Sequence, residues 1–198
     1  MPLSTVGKNN LIAVTSFTHA GALTALASTE TVGGSYARQP ITWAAPSAGT
    51  RAPSSPLVIP IAAGQTIVAA SMHDALTVGN FQGYFQIGSP LRGTSSMSAA
   101  GLHTSVGHGL TTDNRVFVAS AAGDALPTGL AIYTLYFVRA TGLTADAFSL
   151  ATTSGGAAVG TVAGEVAWFH TVPQTYAIAG TLTLPATTGL VLDVTAFG

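Results

Sequence analysis

The chain has 198 residues, 47% of them hydrophobic and 7% charged, with a formal net charge of −1 and no cysteine. Six basic side chains against seven acidic ones cannot build the basic stripe that nucleic-acid binding requires, and a mean hydropathy of +0.49 is the opposite of a disordered composition. The absence of cysteine excludes disulfides and thiolate metal cages, and so small a net charge leaves a free monomer prone to self-association.

Taken in chain order, Lys8 followed by Leu11, Ile12, Ala13 and Val14 has the start of a secretory leader. Thr15, Ser16, Thr18 and His19 break that apolar run, so no cleaved leader is expected. Residues 20–28 carry good helix formers with Gly21 and Thr24 among them, and read as a short turn of helix or a loop. Beyond them the pattern is short β-rich runs between Gly/Pro turn clusters. The predicted strands are 57–61, 65–72, 80–87, 115–120, 135–139, 147–152, 176–184 and 190–196. Thr181-Leu182-Thr183-Leu184 and Leu192-Asp193-Val194-Thr195 alternate with period two, which puts one face on a core. No apolar run reaches the roughly 18 residues of a spanning helix, so no membrane partner is expected.

Composition changes in the middle of the chain. Residues 93–100 are rich in Ser, Thr, Ala and Gly and read as a linker. Residues 94–172 then hold their own succession of strands and turns, and the style of the first ninety residues resumes after them. A C-terminal piece of about 26 residues cannot bury a sheet face unaided, so it is expected to pair with the N-terminal segment. The expected architecture is all-β: a jelly-roll-like β-sandwich outer domain from 1–93 and 173–198, carrying a small inserted β-module at 94–172.

Catalytic signals are scarce. His103, His108 and Asp113 are spaced by five and five, which matches no metal-ligand pattern, and no metal or cofactor is expected. His73 and Asp74 are adjacent, so on a strand they point to opposite faces. No Gly-x-Ser-x-Gly elbow or phosphate-cradling loop is present, Glu30 and Glu165 stand isolated, and no catalytic residue is assigned. Gly33-Gly34 supplies positive φ for a tight turn or bulge, and Tyr36 and Trp43 bring large apolar areas suited to a core or a subunit interface. Arg38 is expected to cap carbonyls, to pair with Glu30, or to meet an acid on a neighbour. Tyr133, Tyr136 and Trp168 are candidate solvent- or host-facing rings able to stack on sugar, whereas Phe137, Phe148 and Phe169 are assigned to a core.

The run Glu30-Thr31-Val32-Gly33-Gly34-Ser35-Tyr36-Ala37-Arg38-Gln39-Pro40-Ile41-Thr42-Trp43 resembles a segment of small tail-associated proteins of bacteriophages, notably those of actinobacteria. In those proteins it precedes two strands whose counterparts here are 57–64 and 71–76. A second series is similar to a β-module repeated in phage fibre and virion proteins: His108-Gly109-Leu110, Arg115-Val116, Leu126-Pro127-Thr128-Gly129-Leu130, Tyr136-Phe137-Val138, Phe148-Ser149-Leu150 and Ser154-Gly155-Gly156-Ala157-Ala158-Val159. The sequence departs from the pattern in its Ala-rich 21–28 stretch and in Asp113-Asn114, where a Gly-acidic pair is usual. The resemblance implies a virion structural protein with no catalytic role, assembled in the host cytoplasm. It would be a minor tail or fibre-type subunit, homo-oligomeric and attached non-covalently to other virion proteins. A capsid decoration protein is the alternative within that class. A carbohydrate-binding host-surface adhesion module, with a surface glycan as partner, is the alternative outside it.

Overall fold

The computed structural model describes residues 17–26, 29–121, 125–186 and 192–193, the last pair by backbone alone. The leader reading at 8–14 and most of the predicted strand 190–196 lie outside the described residues. Among those described there is no helix, and the protein is all-β. The strands of the first flank are β1 (His19–Ala25), β2 (Thr29–Glu30), β3 (Gln39–Pro40), β4 (Thr50–Arg51), β5 (Leu57–Ile61), β6 (Gln65–Ile67), β7 (Ala69–His73) and β8 (Phe81–Phe85). Next come β9 (Arg92–Met97), β10 (Leu102–Thr104), β11 (Arg115–Ser120), β12 (Tyr136–Val138), β13 (Ala147–Ala151) and β14 (Gly164–Thr171). The last flank gives β15 (Gln174–Tyr176), β16 (Gly180–Leu184) and β17 (Leu192–Asp193).

The chain divides into two compact units, Met1–Ile87 with Gln174–Gly198, and Gly88–Pro173. In the first, a sheet runs β2-β1-β7-β8, with β3 also on β1. The last flank joins by antiparallel pairing of β15 with β6, β16 with β5 and β17 with β4. Ala20, Ala22 and Ala70 of the sheet share one buried cluster with Leu57, Ile59 and Ile61 of β5, Ile67, and Leu182 and Leu184 of β16. Alternation along β5 and β16 sends every second side chain into that cluster.

In the stretch 20–28, where a helical turn or loop is expected, the residues up to Ala25 are strand. They belong to β1, paired residue by residue with β7 from His19↔His73 to Leu23↔Ala69. Tertiary packing overrides local propensity: Ala20 and Ala22 are completely buried, and the bare Gly21 admits the side chains of Glu30, Tyr36 and Ser71.

The second unit is a closed six-stranded antiparallel barrel in the order β10-β13-β12-β11-β14-β9. Its interior is filled by Met97, Val116, Val118, Tyr136, Val138, Phe148, Leu150, Val166 and Trp168, with Leu110 and Leu130 contributed by loops. The stretch 93–100 is not a linker, because its first part is β9, paired with β14 over six register positions. The first boundary accordingly falls at 87/88 rather than 93/94. Small residues serve here because Gly93 lies under the Trp168 indole, where a Cβ would stand 3.0 Å from Cζ2. β14, the longest strand, is absent from the predicted set, although Val166, Trp168 and His170 alternate inward along it. Ala158-Val159 form an irregular segment whose Val159 N–H bonds Leu150 O.

Candidate functional site

Of the singled-out residues, Tyr36 and Arg38 meet at Glu30, and Gly33 and Gly34 form the turn that precedes them. Gly33 and Gly34 have φ of 87° and 60° and turn the chain back so that Tyr36 and Arg38 reach over β1. Tyr36 Oη donates to Glu30 Oε1 at 2.6 Å and accepts the Ala22 N–H at 3.2 Å. Arg38 grips the same carboxylate with Nη2 at 2.6 Å from Oε2 and Nε at 3.1 Å from Oε1. Its Nη1 donates to Ala75 O at 2.9 Å. Arg38 therefore both pairs with Glu30 and caps a carbonyl, within the chain.

Burial raises the Glu30 carboxyl, but the Arg38 and Tyr36 hydrogen bonds outweigh it and hold the group below the usual carboxylate range. Burial, reinforced by the bond to Glu30, raises the Tyr36 phenol far above its ordinary value. The network is thus an ionised carboxylate between a cation and a phenol that keeps its proton.

His73 completes the cluster. Its Nε2 lies 2.9 Å from Ser71 Oγ and 3.5 Å from Glu30 Oε1, while Nδ1 is buried without a partner. Burial lowers this imidazole more than the Glu30 charge raises it, which keeps the ring neutral at pH 7. A serine–histidine–carboxylate relay places hydroxyl and carboxylate on opposite ring nitrogens. Here both meet Nε2, and Ser71 is completely buried, so these three residues have the geometry of a packing network.

Beyond the network lies a clamped loop. Asp74 Oδ1 accepts the Asn80 N–H at 2.6 Å, and Oδ2 accepts Asn80 Nδ2 at 2.7 Å and Gln82 Nε2 at 3.3 Å. The Asn80 hydrogen bonds hold the Asp74 carboxyl below its ordinary value. Thr18 Oγ1 donates to Asp74 O and Arg38 to Ala75 O, so the first two loop residues are tied to the sheet. At the tip Leu76 is 50% exposed and Val78 wholly exposed, the latter with φ of 57°. A β-branched residue in left-handed backbone stores strain that no contact of its own side chain relieves.

Trp43 is half-buried against the first unit's core. Its Nε1 donates to Phe17 O at 2.7 Å, and the Arg51 guanidinium lies 5.6 Å above its ring.

The ring residues of the second unit require correction. Tyr136 and Trp168 are each 2% exposed and line the barrel interior, so neither is a solvent- or host-facing ring. Period-two alternation on β12 and β14 turns them inward, and Tyr136 Oη accepts the Ala131 N–H at 2.8 Å. Phe148 is core, but Phe137 and Phe169 lie on the outer face, Phe137 beneath the Arg115 guanidinium at 4.0 Å and Phe169 stacked on Phe117. Tyr133 is exposed, at φ of 62°.

His103 and His108 both contact the Phe148 ring inside the barrel, whereas Asp113 accepts Ser154 Oγ at 2.6 Å on an exposed turn. The three do not converge, and no group of three or more metal-ligating side chains occurs among the described residues. No described helix is long and apolar enough to cross a membrane. Sequence reading missed His73, Ser71 and Gly21 as parts of the Glu30 cluster. Their alternation on paired strands was the available signal, but the pairing of β1 with β7 is not written locally.

No protein-family model, curated protein or solved structure matches this chain.

Proposed function

We propose that this chain is a structural subunit of a bacteriophage virion, of minor tail or fibre type, held to its neighbours by apolar non-covalent contacts. The observation that carries the reading is the use made of Glu30, Tyr36 and Arg38. These polar residues of the resemblance run are consumed in fixing a turn and a loop, and the loop offers Leu76 and Val78 to solvent. A rigid apolar projection on a chain with 7% charged residues fits attachment through burial rather than ion pairing. We read the first unit as a sandwich, because its five-stranded sheet and the β5–β16 pair contribute to a common core. A glycan platform has less support, since of its three rings only Tyr133 is exposed.

Labelled protein located on intact particles by electron microscopy tests the proposal. Signal along the tail in few copies is the expected result. Hundreds of copies on the capsid lattice would move the assignment to a decoration protein, and absence from particles would end it. Attachment is expected to survive 1 M salt, because screening weakens charge pairs and leaves apolar burial intact.

A further inference from the structure

Among the described residues of the second unit, one buried side-chain polar atom has no partner, His103 Nε2. His103 is completely buried on β10, with its ring parallel to Phe148 at 4.9 Å between centroids. Its Nδ1 lies 3.0 Å from Ser95 Oγ, which itself donates to Val166 O, so the ring proton sits on Nδ1. Nε2 is then a bare lone pair among apolar atoms, a bearable state for a neutral ring. A second proton would create a cation with one acceptor and a buried N–H with none, both disfavoured in an apolar interior.

The surroundings offer that cation no compensation. Ser95 and Met97 face inward from β9, Phe148 from β13, and Val166 and Trp168 from β14. His108 is the other titratable group on the Phe148 ring; its Nδ1 accepts the Leu110 N–H and its Nε2 lies 3.3 Å from Ala147 O. Of the charged residues on these strands, Arg92 and Glu165 are exposed, and Arg115 of β11 lies over Phe137. Burial pushes the His103 imidazole down to about 4.

β10 is three residues long, joined to β9 by two register pairs and to β13 by three, whereas β14 has six with each of its neighbours. We propose that β10 is an acid-released strap: protonation of His103 detaches Leu102–Thr104 from β9 and β13 and opens the barrel. Release also removes the Phe148 stack and the Ser105 hydroxyl from Trp168 Nε1, and leaves the facing edges of β9 and β13 unpaired.

Amide hydrogen exchange on the full chain, corrected for intrinsic rates, tests this. With His103 near 6.5 when released and about 4 when closed, the opening constant of the β10 amides should rise roughly 60-fold between pH 7 and 4.5. The β11–β14 ladder should keep its protection. His103→Phe should lose most of the rise, His170 with its Ser89 contact being present in both proteins. Equal loss of protection in every strand, or an undiminished rise in His103→Phe, overturns the proposal. Should that variant not fold, the ring signal of His103 in the unaltered chain decides. Protonation only as the β10 amides open supports the strap, and free titration near pH 6.5 with those amides still protected overturns it.

Discussion

At the scale of single residues, Glu30 is the pivot of the first unit. It answers Arg38 and Tyr36 from a position where its side chain is 20% exposed, so replacing it leaves a cation and a phenol short of their acceptor. Glu30→Gln should cost about 2 kcal/mol in urea denaturation, less than the full loss of a deeply buried pair. Gly21→Ala acts on the same cluster by steric means. Its Cβ would stand 2.5 Å from Glu30 Oε1 and 2.7 Å from both Ser71 Oγ and Tyr36 Oη. A loss of about 2–3 kcal/mol is expected, since these atoms are bound to one another and cannot retreat separately. Val78 gives the opposite sign: Val78→Asn should raise the unfolding free energy by about 0.5–1 kcal/mol, read as a higher urea midpoint, because Asn tolerates left-handed backbone. On the proposed reading, the same change should weaken particle attachment. The Glu30–Arg38 pair was legible because both residues fall within one short run. The part of His73 was not, because β1 must first lie beside β7.

At the scale of elements, the lesson is in β1 and β9. β1 is rich in Ala and Gly and β9 in Ser and Gly, residues that are not strand formers, and both are paired on two sides. Close approach explains the composition: β1 lies under the Glu30 cluster, and β9 passes beneath Trp168. Gly93→Val should therefore lower barrel stability by about 2–3 kcal/mol, read as earlier exposure of Trp168 fluorescence in denaturant. Strands with β-branched alternation, such as β5, β11 and β16, were visible in the sequence because the same side chains set both propensity and core.

At the scale of the whole molecule, the buried titratable groups act in one direction. The imidazoles of His73, His103 and His170 are all lowered by burial, so below pH 6.5 the unfolded chain binds more protons than the folded one. Stability is lost as pH falls, for His103 alone by roughly 3 kcal/mol once pH passes about 4. Glu30, lowered from 4.5, adds a further loss as it is protonated in the folded state. Urea midpoints should be highest near neutrality and fall steadily through pH 6 to 4. A profile flat over that interval would show that these rings are solvated.

The amino-acid sequence by itself determined the all-β class, the turn at Gly33-Gly34 and about half of the strands, because each depends on neighbours along the chain. Tertiary structure decided which rings are hidden, that a Ser/Thr/Gly stretch closes a barrel, and that Glu30 meets His73. Those outcomes depend on strand pairing across tens of residues, and one step of register exchanges the inner face for the outer.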